Sequence, residues 1–291
     1  MFSGAIPALV TPFTNSGEVN EAKVGELVRF HIEKGSGAVV PAGTTGESPT
    51  LSEAEKIRLF EVVVEAANGK IPVIAGTGGN NTARAVELTR RAKEIGVDAA
   101  LVVSPYYNKP TQEGLYRHYM TLADEGGLPV VIYNVPGRTG VNILPATVER
   151  LAEHERIVAI KEASGNLSQI SEIHLRCGNK LTILSGDDGL TLPILSVGGK
   201  GTISVTANIV PDRVNAMIEA FSGGDVEKAL AIHHELEPLN AALFLETNPI
   251  PVKTAMNLLG MDVGGFRLPL CEMGAENKQK LRAILIEAGL L

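Results

Sequence analysis

Eight short apolar runs alternate along this chain with longer segments of helical period, and no other feature restricts the possible fold as much. The runs lie near residues 5–10, 37–41, 72–76, 99–104, 130–134, 158–161, 181–184 and 202–205. Each is apolar on both alternating sets of positions, the pattern of parallel strands covered on both faces. Their spacing, about 20 to 35 residues, leaves room for one helix in each crossover. The segments between them carry the 3.6-residue period: Val24, Leu27, Val28 and Ile32 form one stripe, and Ala85, Leu88, Ala92 and Ile95 another. Ser52, with Glu55 three positions on, has the form of a capping box opening a helix. Eight strand–helix alternations favour a closed (β/α)₈ barrel, the TIM barrel, over an open doubly wound sheet. An open dinucleotide-binding sheet would also need G-x-G-x-x-G after its first strand, where this chain has Thr11-Pro12-Phe13-Thr14.

After the eighth run only helical pattern remains. Val226, Ala229, Leu230 and His233 share one face, and Leu281, Ile284, Leu285 and Ala288 another. The expected organisation is a catalytic barrel over residues 1–224 and a C-terminal helical appendix over 225–291, packed on it without a linker. His233 on its apolar face reads as a core histidine, not a ligand.

Composition excludes several function classes. A net charge of -7 gives no electrostatic footprint for nucleic acid or an anionic membrane. Apolar stretches are broken by Gly, Pro or charge long before they could span a bilayer. The N-terminal residues have neither a basic region nor a cleavage pattern, so a secretory signal is not expected. The only two cysteines, Cys177 and Cys271, lie far apart and suit a reducing cytoplasm.

In a TIM barrel the chemistry sits at the C-terminal ends of the strands. The second strand ends in Gly43-Thr44-Thr45-Gly46-Glu47, the fourth in Ser104-Pro105-Tyr106-Tyr107-Asn108, and the fifth in Tyr133-Asn134-Val135-Pro136-Gly137-Arg138. The sixth closes with Ile160-Lys161-Glu162-Ala163 and the seventh with Ser185-Gly186-Asp187-Asp188. Lys161 directly follows four apolar residues, so its amine sits at the top of a tightly packed barrel. A buried ammonium is costly unless it is paired or deprotonated, and a neutral amine can attack a ketone to form a Schiff base. Two readings stay open from spacing alone: a nucleophilic Lys161, or a permanent ion pair with Glu162 or an aspartate of the next strand end. Of five tyrosines, Tyr106, Tyr107 and Tyr133 fall at strand ends, where they could shuttle protons or merely fill the rim. Thr44 could link two of them. Arg138 offers a planar fork for a carboxylate, or a surface salt bridge.

Two other chemistries are disfavoured. Asp187 and Asp188 stand where many barrels bind phosphate, and would repel it. The glycines of Gly198-Gly199-Lys200-Gly201 precede a strand instead of opening a helix. The six histidines have no metal-binding spacing, so neither a metal nor a nucleotide cofactor is expected.

On these motifs, together with Asn248-Pro249-Ile250-Pro251-Val252-Lys253, the chain resembles the dihydrodipicolinate synthase and N-acetylneuraminate lyase family of Schiff-base barrels. The resemblance runs over essentially the whole chain. It implies a class I aldolase-type lyase in which Lys161 bonds to pyruvate, with no cofactor beyond that covalent link. Tyr133 would be proton donor and acceptor, with Thr44 and Tyr107 completing a relay. In the family, the tyrosine matching Tyr107 reaches into a neighbouring subunit's site, implying a dimer, often paired into a tetramer. Thr45 would hold the pyruvate carboxylate, Gly186 and Ile203 would line the pocket with backbone groups, and Arg138 would receive the carboxylate of aspartate semialdehyde. Arg138 favours that aldehyde, on the diaminopimelate and lysine route, over the polyol substrates of 2-keto-acid aldolases and sialic acid lyases. A catalytically silent keto-acid sensor is the reading from another class, and would need no proton relay. Lysine-inhibited members bind lysine near the matches of Ser48, Pro49, Glu53, Lys56, Asn80, Arg84 and Tyr106. They typically carry a carboxylate where this chain has Arg84 and a histidine where it has Lys56, so weak or absent lysine inhibition is expected.

Overall fold

The computed structural model describes residues 2–291. Its centre is a parallel sheet curled into a barrel, with strands β1 (Gly4–Pro7), β2 (Ile74–Gly76), β3 (Ala99–Val103), β4 (Val130–Asn134), β5 (Ile157–Glu162), β6 (Thr182–Ser185) and β7 (Gly201–Ser204). They pair in the order β1-β7-β6-β5-β4-β3-β2, all parallel. The run expected at residues 37–41 is reduced to single bridges, Ala8 to Val40 and Val39 to Val73, which close the gap between β1 and β2. Hydrogen bonds still run both ways across it: Val40 N donates to Pro7 O, and Ile74 N donates to Val39 O. Prolines at 7, 41 and 72 explain the shortened ladder, because each removes a donor from it.

The double coverage read from the sequence is present as two apolar clusters. Ile6, Val40, Ile74, Leu101, Val131, Tyr133, Ala159, Leu184 and Ile203 fill the barrel interior. The other face of the same strands, with Ile132, Ile160 and Ile183 among its residues, meets the surrounding helices in a larger cluster. Successive strand residues point to opposite faces, so both clusters come from one set of strands.

Helices begin where the sequence signals them. Ser52 and Glu55 form the reciprocal capping box at the start of Glu53–Ala67. Asn81 caps Thr82–Ile95, and Gly96 ends it in the left-handed conformation that glycine adopts without steric cost. Beyond β7 the chain continues in helices Pro211–Ser222, Val226–Ala242, Ile250–Leu258 and Ala275–Glu287. Among the described residues no helix is long and apolar enough to cross a membrane.

Two histidines are buried in the helical shell with one ring nitrogen unpartnered. His31 faces Ser36 Oγ at 3.2 Å and His118 faces Thr82 Oγ1 at 2.9 Å, while Nε2 of each is orphaned. Burial lowers the His31 ring to about 3 and the His118 ring to about 4. Their unfolded counterparts titrate near 6.5, so the unfolded chain binds more protons below that value and acid destabilises the fold. The loss begins as pH falls through about 6.5 and grows by about 1.4 kcal/mol per pH unit per histidine until each folded value is reached. Thermal unfolding between pH 7 and 4.5 should show Tm falling with acidification, and His31→Asn should make the slope shallower. An unchanged slope would remove His31 from the account.

Candidate functional site

The site is organised by the register between β4 and β5. Tyr133 is paired with Lys161, and Asn134 with Glu162. The pleat turns the first pair into the barrel and the second toward the helical shell. Lys161 and Tyr133 are each 6% exposed, and the Lys161 Nζ lies 4.2 Å from the centre of the Tyr133 ring. The ring face offers the amine an electron-rich neighbour.

The ion pair that spacing left open for Lys161 does not form. Glu162 is fully buried on the opposite face and accepts hydrogen bonds from Asn134 Nδ2 at 3.2 and 3.1 Å and from the Ser164 amide at 2.8 Å. Burial pushes its carboxyl up, and the Ser164 and Asn134 hydrogen bonds oppose that. Asp188 is likewise committed elsewhere: it accepts from Ser204 Oγ, from the Val205 amide at 2.8 Å and from the Thr206 amide at 3.2 Å. Both acids therefore brace strand ends and leave the Lys161 amine facing the cavity.

That cavity has a volume of about 370 Å³ and brings together Thr44, Thr45, Tyr133, Arg138, Lys161 and Gly186, six of the residues expected from the sequence. Gly186 has a steric reason to be glycine. A Cβ there would lie 2.8 Å from Ala163 Cβ and 3.0 Å from Lys161 Cε, displacing the lysine stem. Two of the expected residues stand apart. Ile203 is buried in the barrel interior, and Val205, two positions on, lines the cavity instead. Tyr107 does not line the cavity of its own chain; it is 89% exposed with a left-handed backbone at φ 68°.

The helices after β7 supply what the strand ends do not. Glu237, Asn240 and Ala241 line the cavity from Val226–Ala242, and Phe244 and Asn248 line it from the loop that follows. Asn248 joins the two candidate carboxylate binders: its Nδ2 donates to Thr45 Oγ1 at 3.0 Å, and its backbone oxygen accepts from Arg138 at 3.3 Å. Sequence pattern had assigned no role to these residues. Their period only placed them on helices, and nothing local aimed those helices at a strand end some hundred residues earlier.

The Thr44–Thr45 loop is anchored from the same region. Lys253 and Glu47 form an ion pair at 2.7 Å with both side chains fully buried. The ammonium also donates to Thr11 O at 3.1 Å and to Gly265 O, which uses all three of its donors. It lies 4.3 Å from the centre of the Phe13 ring. Burial lowers the Lys253 pKa, with Glu47 opposing. Thr11 Oγ1 meanwhile donates to Gly46 O at 2.6 Å.

A second cavity, of about 280 Å³, opens beside the first and is lined by Glu53, Lys56, Asn80, Arg84 and Tyr106. Burial holds the Lys56 ammonium below the usual lysine range, and Glu53 opposes it. Lys56 and Tyr106 also line a central cavity that contains Thr44, Tyr133 and Arg138, so the two regions adjoin.

Comparison with known proteins matches this architecture along its whole length. The model of the dihydrodipicolinate synthetase family matches residues 1–288. A 4-hydroxy-tetrahydrodipicolinate synthase of Thermodesulfovibrio yellowstonii is 54% identical over 291 residues, covering 100% of both chains. The crystal structure of dihydrodipicolinate synthase from Aquifex aeolicus superposes with a TM-score of 0.97 at 52% identity, covering 99% of each chain. The enzyme from Cyanidioschyzon merolae, crystallised with lysine bound, superposes with a TM-score of 0.98 at 46% identity, covering 100% of this chain and 99% of that one.

The buried pair generates a stability test. Lys253→Met leaves Glu47 buried without its cation, a loss expected to cost about 3–5 kcal/mol. Urea unfolding should show a marked fall in midpoint for Lys253→Met and a smaller one for the Glu47→Gln/Lys253→Met double variant. Equal midpoints for Lys253→Met and the wild type would remove the pair from the stability account.

Proposed function

This chain belongs to the dihydrodipicolinate synthetase family, and from that premise we propose how its residues divide the work of the reaction. The activity is that of a 4-hydroxy-tetrahydrodipicolinate synthase, a lyase that condenses pyruvate with L-aspartate 4-semialdehyde in diaminopimelate and lysine biosynthesis. The observation that carries the assignment of roles is the unpaired Lys161 amine beside Tyr133 at the base of a cavity that also holds Arg138.

The neutral Lys161 amine attacks the pyruvate ketone, and the carbinolamine loses water to give a protonated imine. The Tyr133 hydroxyl supplies a proton to the departing oxygen and the phenolate later takes one from the pyruvate methyl, which the cationic imine has acidified. The resulting enamine attacks the aldehyde carbon, whose oxygen picks up a proton. The substrate amine then attacks the imine carbon, the ring closes, and Lys161 leaves as the free amine. The imine is itself the electron sink, so no cofactor enters the scheme. Thr45 and its backbone hold the pyruvate carboxylate, Gly186 bounds the pocket, and Arg138 takes the carboxylate of the aldehyde as a bidentate fork.

Thr44 relays protons between Tyr133 and Tyr107. Tyr107 stands outside its own cavity, and its exposure and left-handed backbone suit a side chain presented to a second copy of the chain. The working unit in this reading is at least a dimer, paired into a homotetramer, and resides in the cytoplasm.

Lys56 and Arg84 set regulation. Both line the second cavity, where two cations disfavour a ligand carrying two ammonium groups.

Borohydride reduction in the presence of pyruvate should place a mass increment on Lys161 alone, and Lys161→Ala should take up none. Tyr133→Phe should lower kcat by about 10²- to 10⁴-fold. Arg138→Ala should raise KM for aspartate semialdehyde while the pyruvate KM stays close to wild type. A label on another lysine would overturn the site. In a steady-state assay micromolar lysine should leave turnover unchanged, and strong inhibition would refute the reading of Lys56 and Arg84.

A further inference from the structure

We propose that Glu237, with Asp187 beside it, forms the subsite that holds the α-ammonium of the aldehyde substrate and so selects an amino-acid aldehyde over an uncharged one. The inference rests on the reaction assigned above, in which the second substrate carries a carboxylate and an ammonium on the same carbon. Arg138 can satisfy the first group only. Lys161 is committed to pyruvate, so the ammonium needs acceptors elsewhere on the wall.

The cavity provides them at one point. A Cβ built on Gly189 would lie 3.6 and 3.9 Å from the two carboxylate oxygens of Glu237 and 3.6 Å from Asp187 Oδ1. The two acids therefore converge on a space that the missing side chain of Gly189 leaves open, and all three residues line the cavity that holds Lys161 and Arg138. Asp187 Oδ1 receives only the Gly189 amide, at 3.1 Å. Neither acid belongs to an ion pair among the described residues, whereas Glu235, two positions before Glu237, is paired with Arg213. Two unpaired carboxylates aimed at one point repel each other, and a cation between them removes that cost.

A third acceptor lines the same cavity. Asn248 is 5% exposed, and while its Nδ2 is engaged with Thr45, its Oδ1 is buried without a partner. A buried acceptor left unpaired is costly and calls for a donor. Two carboxylates and an amide oxygen with no donor among them fit a small, multiply donating cation, and an ammonium has that chemistry. Glu237 lies on the helix after the barrel and its side chain is open to solvent, so it acts on binding and not on the barrel's stability.

Steady-state kinetics of the full chain test this with two aldehydes, aspartate semialdehyde and succinic semialdehyde, which differ only in the amine. Glu237→Gln should raise KM for aspartate semialdehyde roughly five-fold, the scale of a solvent-exposed ion pair. Glu237→Asp should recover much of it, and the pyruvate KM should not move. Inhibition by succinic semialdehyde should be unchanged in Glu237→Gln. Gly189→Ala probes the space directly: its methyl meets nothing closer than 3.6 Å, so the fold accommodates it, yet it occupies the convergence point and should also raise KM for aspartate semialdehyde. Unaltered kinetics in Glu237→Gln, or equal shifts for both aldehydes, would overturn the subsite. A wild-type chain that is trapped with pyruvate but turns over no aspartate semialdehyde would instead overturn the underlying reaction and the subsite with it.

Discussion

The lateral pairing of Tyr133 with Lys161 is the constraint from which the rest of the site follows. In a parallel sheet, neighbours in register share a face, and the next pair along must share the other. Placing Tyr133 and Lys161 inside the barrel therefore sends Asn134 and Glu162 outside it. This separates an amine from a carboxylate that is adjacent in sequence, with no barrier other than the pleat. A one-residue slip between β4 and β5 would bring Glu162 into the cavity and bury Lys161 among helices. The hydrogen bonds of Glu162 to Asn134 and Ser164 hold the register from outside.

The second constraint is long-range. The loop carrying Thr44 and Thr45 is held by residues some two hundred positions later: Lys253 reaches Glu47, and Asn248 reaches Thr45. A fully buried ion pair is a poor source of net stability, since desolvation offsets most of the attraction. It is strongly directional, however, because an ammonium with three fixed acceptors has one acceptable position. The pair therefore fixes where the threonine loop sits relative to Arg138, which Asn248 also contacts. The helices beyond β7 are thus part of the site's construction, and they form one wall of its cavity.

Much of this was legible in the sequence where a local rule applied. Two-sided apolar runs gave the strands, and the ends of those runs singled out Thr44, Tyr133, Arg138 and Lys161, to which the family resemblance added Thr45 and Gly186; all six line one cavity. The boundaries shifted by a residue or more at most strands, as at β1, and prolines reduced the second expected strand to bridges. Asn248 and Glu237 were legible only as parts of a motif and a helix. Their importance comes from what they face, and a 3.6-residue period does not encode that.

What the sequence determined by itself was therefore the barrel, the helices after it and the identity of the residues at the strand ends, because hydrophobic periodicity and chain direction are local properties. It could not decide whether Lys161 was a nucleophile or one half of an ion pair. Tertiary structure removed the ion pair, by engaging Glu162 with the Asn134 side-chain amide and the Ser164 N–H, and Asp188 with the Ser204 hydroxyl and backbone donors. The reason is geometric: a charge is free or paired according to which groups the closed sheet brings within a few ångströms of it, and closure joins segments far apart in the chain.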